Sequence, residues 1–187
     1  GKGEVFEGLA IWNDETYRQL QGTYPVISLS FAKVKDTNLE DAKEQIREII
    51  KRIYTEYIFL EESVSLTKYD KEYFERILSD KASEVDIALS LNKMCDFLYH
   101  YYDKKVIILL DKYDTPMQEA YVGGYWEELV AFTRNLFNAT FKTNPYIERG
   151  MMTGITRVSK ESVFSDLNHL KVITTTSEKY STAFGFT

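Results

Sequence analysis

The chain holds a single cysteine, Cys95, and two histidines, His100 and His169. One thiol excludes a disulfide framework and a multi-cysteine metal site, and two imidazoles argue against a histidine-rich one. No apolar run approaches the roughly 18 residues needed to span a bilayer, and residues 1–4 lack the apolar core of a signal peptide. A reducing, cytoplasmic setting is the expectation. Proline is scarce, with three in 187 residues, so long regular elements meet few breakers. The net charge of -6 is wrong in sign for a surface built mainly to grip nucleic acid, so direct nucleic-acid binding by this chain is not expected. Nor is there a Gly-x-x-x-x-Gly-Lys-Ser/Thr phosphate loop anywhere in the chain; Gly1-Lys2-Gly3 is not one.

What is present fits one ordinary globular domain. Hydrophobic residues make up 44% and charged residues 28%, and the length suffices for a single core. The 14 tyrosines and 11 phenylalanines read as core and surface rather than as a platform for stacking bases.

The densest apolar run is Val106 to Leu110, followed at once by Asp111-Lys112-Tyr113-Asp114-Thr115-Pro116. An unbroken run rich in β-branched residues predicts a strand buried on both faces. Asp111 then falls at its carboxyl end, where ligands bind in open α/β sheets. A second strand is predicted over residues 25–31, a weaker, glycine-containing one over 149–156, and a last one over 172–176. Residues 1–24 read as a connector with a short apolar face.

Between the strands lie helical patterns. Asn38 caps a long helix whose apolar stripe is Leu39, Ala42, Ile46, Ile49, Ile50, Ile53 and Tyr57; Lys43, Arg47, Lys51 and Arg52 give it a solvated basic face. A second helix covers 67–78. Ser83, with Asp86 three residues on, starts a third by a capping box, with Val85, Ala88, Leu89, Met94, Cys95, Leu98 and Tyr102 as its buried stripe. Cys95 on that stripe is read as a core thiol. Thr115, Pro116 and Gln118 predict another capped start, and 125–141 a further helix stopped by Asn144-Pro145. Alternating strands and helices imply an α/β fold: a three-layer parallel sheet with helices on both faces.

Asp111 suits Mg²⁺, which takes hard oxygen ligands and shares one or two carboxylates with substrate phosphates. Asp114 is either a second carboxylate of the same site or a cap on the following helix.

The segment 107–116 resembles the Walker B segment of the AAA-ATPase-like family of bacterial and archaeal proteins, an apolar strand followed by Asp-Glu-Tyr-Asp-x-Pro. Phe6-Glu7-Gly8-Leu9 with Ile11-Trp12, Tyr24-Pro25-Val26-Ile27, Tyr73-Phe74-Glu75-Arg76-Ile77-Leu78, Arg134-Asn135-Leu136-Phe137, Gly154-Ile155-Thr156-Arg157, Phe164-Ser165-x-Leu167-Asn168 and Phe184-Gly185-Phe186-Thr187 extend the likeness. The resemblance implies a P-loop NTPase-like fold, with ATP and Mg²⁺ as cofactors, Asp111 as the Mg²⁺ ligand, and Asp114 and Arg157 beside the nucleotide. Arg157 would be a sensor-type residue near the γ-phosphate, or else an ion-pair partner.

Two departures accompany it. The family's phosphate loop lies upstream of the matching stretch, so the chain is expected to be an internal piece of one longer domain, 1–187, incomplete at both ends. Lys112 stands at the position of the catalytic Glu and cannot act as an anionic base, so little hydrolysis is expected. Full-length relatives resemble ATP-driven switches and often continue into a restriction-type nuclease domain. Two other readings stay open: a non-catalytic protein-interaction module that retains the fold, and a Mg²⁺-dependent phosphoesterase or nuclease using Asp111 and Asp114.

Overall fold

The computed structural model describes residues 3–155 and 170–180. Three parallel strands form one sheet in the order β1 (Val26–Ser30), β2 (Val106–Asp111), β3 (Ile147–Met152). The first two pair with Ser30 opposite Asp111, and Ile107 to Leu110 pair with Arg149 to Met152. Before the sheet come two 3₁₀ turns and a short helix α1 (Glu15–Leu20), whose cap Asp14 accepts from the Thr16 amide. That N-terminal stretch exposes Phe6, Leu9 and Ile11.

Between β1 and β2 run α2 (Leu39–Glu56), α3 (Lys68–Leu78) and α4 (Glu84–Tyr102). Their starts follow the sequence closely. Asn38 accepts from the Asp41 amide, and Thr67–Asp70 and Ser83–Asp86 form complete capping boxes, each cap contributing about 1 kcal/mol. The basic face of α2 is tied to the segment that follows α3: Lys43 pairs with Glu84 at 2.7 Å, Lys51 with Asp80 at 2.6 Å, and Arg47 donates to the Ala82 carbonyl. Between β2 and β3 lie α5 (Thr115–Gly123) and α6 (Trp126–Phe141).

The core joins the inner stripes of α2, α3, α4 and α6 to Ile27, Leu29, Val106, Ile108 and Leu110 of the sheet. Tyr54 is fully buried there, its hydroxyl donating to the Ser90 carbonyl at 2.8 Å and its ring tilted on Phe74. Cys95 is buried on α4, as expected of a core thiol.

Three expectations need correction. Among the described residues, β1 and β2 bury alternate side chains only; Val26, Leu109 and Met151, at 40%, 39% and 59% exposure, lie on an uncovered face. Among the described residues the sheet therefore has helices on one face, not both, and β2 is buried on one side only. The reason is topological: β1, β2 and β3 follow one another in space as in sequence, and right-handed crossovers that step in one direction fall on the same face. The buried stripe of α4 also has another phase, running through Ile87, Leu91, Met94, Cys95 and Leu98, whereas Val85, Leu89 and Tyr102 are exposed. Finally, residues 172–176 join no sheet. Thr174 and Ser177 close a turn there instead, with the Thr174 amide donating to Ser177 Oγ at 2.9 Å.

Candidate functional site

Because the three strands are parallel and in register, their carboxyl ends meet at one rim. Asp111 ends the central strand. Its Oδ2 accepts from Ser30 Oγ, at the end of β1, at 2.9 Å, and its Oδ1 accepts from Thr153 Oγ1, just past β3, at 2.7 Å. Two neighbouring strands and the residue just past the third thus each place one oxygen-bearing side chain at the same point. The hydroxyl of Thr153, then that of Ser30, hold the carboxyl below its ordinary value of 3.8 against desolvation, and the charge and amide of Lys112 add a lesser pull in the same direction. Asp111 is exposed and ionised at neutral pH, the state a metal needs.

The backbone around it is held as firmly. Phe31 N donates to the Asp111 carbonyl at 2.9 Å, Thr153 N to Leu110 O at 2.9 Å, and Tyr113 N to Thr153 O at 3.1 Å. Lys112 adopts a left-handed conformation, φ 56°, which turns the chain out of the strand. Its carbonyl accepts from the Thr115 amide at 3.2 Å.

Asp114 is completely buried beside this rim. It occupies the N-cap position of α5, one residue earlier than the Thr115 cap expected, yet its side chain makes no capping bond to the helix amides. Its Oδ2 accepts from Gln118 Nε2 and from the Ile155 amide, both at 2.9 Å. Gly154 lies flat against it: a Cβ there would stand 2.6 Å from Asp114 Oδ1. Pro116 is at the first turn of α5, as predicted.

The sequence-derived residues therefore divide. Asp111, Lys112 and Asp114 lie within four positions at the end of β2, whereas Arg157 lies outside the described residues. Ser30 and Thr153 were not anticipated. The signal was present in the sequence as a hydroxyl residue closing each strand that flanks the apolar run, but only the register shows that both reach Asp111.

A carboxylate flanked by two hydroxyls is a hard, all-oxygen donor set, which fits Mg²⁺. Among the described residues, no group of three or more His, Cys, Asp or Glu is placed to hold a metal ion. The donor set thus fits a metal that shares its shell with a ligand rather than a protein cage. The same residues do not by themselves fit a triphosphate, since the chain has no glycine-rich loop to cradle one. No helix of the described residues is long and apolar enough to cross a membrane.

The family model described as "Predicted AAA-ATPase" matches residues 1–164. Among curated proteins, an "Uncharacterized protein in vnfD 5'region" of Azotobacter chroococcum mcd 1 is 31% identical over 85 residues, 45% of this chain. The match spans 16% of that protein's length. No solved structure matches.

Proposed function

We infer that this chain, which belongs to the AAA-ATPase-like family, supplies the Mg²⁺-holding end of a nucleotide-dependent switch in a longer protein. The observation that carries this reading is the Asp111 carboxylate at the end of the central strand, each oxygen held by a hydroxyl at the carboxyl end of a flanking strand or just beyond it. Asp111 would hold Mg²⁺ directly or through water, with Ser30 and Thr153 fixing its orientation. When bound, Mg²⁺ would supply charge neutralisation for nucleotide phosphates.

A P-loop NTPase-like architecture accounts for two further features. Parallel sheets are ordinarily covered on both faces, while here one face and the outer edge of β3 are open among the described residues. A strand added beyond β3 and crossing back to β1 would, by right-handedness, lay its helix on that open face. A phosphate loop carried by such a strand would face Asp111.

Hydrolysis is weak in this reading, because Lys112 cannot polarise water as a carboxylate does. The test is a phosphate-release assay on the full-length protein with MgATP, alongside ATP binding. Binding that depends on Asp111 with negligible release is the expected result; brisk Mg²⁺-dependent turnover lost in Asp111→Ala would refute the impaired-hydrolysis claim. The second reading, a non-catalytic interaction module, is favoured specifically by Lys112, and it requires that full-length protein bind no labelled ATP. A stand-alone metal-dependent phosphoesterase is disfavoured because, among the described residues, no group of three or more His, Cys, Asp or Glu is placed to hold a metal ion.

A further inference from the structure

Asp114 is a buried carboxylate that neither caps the helix it precedes nor faces the open rim. Its bonds run sideways, across the sheet edge. One oxygen takes the Ile155 amide from the segment after β3 and the Gln118 amide from α5. Burial shields this pair of bonds from competing solvent. From the other side, Gly154 rests on the same carboxyl group, and any Cβ there would overlap Oδ1 and Cγ at 2.6 and 2.8 Å.

The two residues so engaged, Gly154 and Ile155, directly follow the one whose hydroxyl holds Asp111. Thr153 is pinned through its own amide to Leu110 O and through its carbonyl to Tyr113 N. Those two bonds fix its backbone where β3 ends. They leave the direction of the segment beyond it to Gly154 and Ile155, which Asp114 holds. A shift of that segment that moved Thr153 Oγ1, now 2.7 Å from Asp111, by about 1 Å would carry it beyond hydrogen-bond reach.

We propose that Asp114 is a positioning residue for Asp111: it clamps Gly154 and Ile155, and through them the end of Thr153, so that the Thr153 hydroxyl stays on the Asp111 carboxylate. The inference rests on the metal reading of Asp111 for its functional consequence, though not for its geometry. It also gives Gly154 a role as the space that the clamp needs, since φ at Gly154 is not in the left-handed region and backbone freedom does not require glycine.

Mn²⁺ alone, followed by electron paramagnetic resonance in the full-length protein, is the probe. Loss of an outer-shell partner typically costs 10–100-fold in metal affinity, so Asp114→Ala and Thr153→Val are each expected to weaken Mn²⁺ about tenfold. If Asp114 acts through Thr153, the double variant binds no more weakly than the worse single one. Independent, multiplying losses would overturn the proposal, as would an Asp114→Ala protein that binds Mn²⁺ normally. Gly154→Ala, which deletes no atom of Asp114 but pushes its carboxyl and the 154–155 segment apart, should reproduce the loss, and Thr153→Ser should bind like the parent. Amide hydrogen exchange supplies the second measurement. Exchange at Thr153 and Ile155 should quicken in Asp114→Ala and Gly154→Ala; unchanged protection overturns the clamp whatever the metal does. Asp111→Asn binding Mn²⁺ as tightly as the parent would instead sink the metal reading and leave the clamp to be judged on exchange alone.

Discussion

Gly150 in the middle of β3 offers a direct test of how closely the sheet and α6 are packed. A Cβ built there would stand 2.7 Å from Cε1 and 3.0 Å from Cδ1 of Phe141, with Ile147 Cδ1 at 3.6 Å. Carbon atoms prefer roughly 3.5–4.0 Å, so in Gly150→Ala the ring must retreat by nearly an ångström. Phe141 is buried and packs on Phe137, which stacks in turn on Phe31, so the retreat meets filled space. Overpacking of this kind costs about 1–3 kcal/mol, offset by roughly 0.4–1 kcal/mol because alanine restricts the unfolded chain. The expected net loss is about 1–2 kcal/mol. Equilibrium urea unfolding reads it as a lower midpoint, by about 0.5–1 M if m is near 2 kcal/mol/M. Adding Phe141→Leu should recover part of the loss, so that the two changes are less than additive. A Gly150→Ala protein as stable as the parent, or more so, would refute the close approach. The strand would then be held at a distance from α6, and the placement of Thr153 three residues on would lose its support.

Other outcomes follow from the same geometry. Burial pushes the Cys95 thiol up to about 12, leaving a thiolate fraction near 10⁻⁴ at pH 8 against about a quarter for a free thiol; labelling with a disulfide reagent should be over a thousandfold slower in native than in urea-unfolded protein, and rapid native labelling would contradict the core assignment. Tyr54→Phe removes a buried hydrogen bond to the Ser90 carbonyl and should cost about 1 kcal/mol in the same unfolding assay; no change would mean that the hydroxyl is not engaged. The Asp111 carboxyl is held low in the folded state, so its contribution to stability is present at neutral pH and disappears only as pH falls below the ordinary carboxylate range through its depressed value; a carboxyl resonance titrating above 3.8 in the native protein would reverse that sign. In the full-length protein, Lys112→Glu should raise Mg²⁺-dependent phosphate release, and the absence of any rise would show that residue 112 is not what limits hydrolysis.

How much of this was legible beforehand depended on whether the determinant was local. The caps Asn38, Thr67 and Ser83 bond within three residues of themselves, and the sequence specifies them outright. The run Val106 to Leu110 announced a strand, but a continuous apolar run does not say whether both faces are covered. That depends on the direction in which the chain steps across the sheet, which β1 and β3 decide. The phase of α4 is not legible locally, because Val85 and Leu89 are as apolar as Ile87 and Leu91; the packing of α4 on α6, α2, α3 and β2 chooses between them. Residues 172–176 carry high strand propensity yet lie in no sheet, as propensity without a partner strand is worth little. At the rim, Asp111 was readable from its place after the strand. Ser30 and Thr153 were not, because each lies in a segment remote from Asp111 in sequence and is brought there by register alone.

Lys112 carries a further consequence of the local geometry. Its φ of 56° is a conformation that costs a non-glycine residue about 1 kcal/mol or more, and such strain persists where the surroundings impose it. Here the imposing bonds are on either side: Asp111 O is held by Phe31 N, Tyr113 N by Thr153 O, and Thr115 N closes onto Lys112 O. The turn is therefore set by the ladder and by α5, not by the side chain at 112, and the same backbone would present whatever residue stands there toward the rim beside Asp111. Two substitutions separate these roles. Lys112→Gly relieves the strain and should raise stability by about 0.5–1 kcal/mol after the extra unfolded-state entropy of glycine is counted. Lys112→Val, β-branched in a left-handed position, should lower it by more than 1 kcal/mol. Urea midpoints that move in these opposite directions identify the turn as strained. If Lys112→Gly were destabilising by a kcal/mol or more, the lysine side chain itself would be holding the rim together, and its charge beside Asp111 would have to be counted as a structural element of the site.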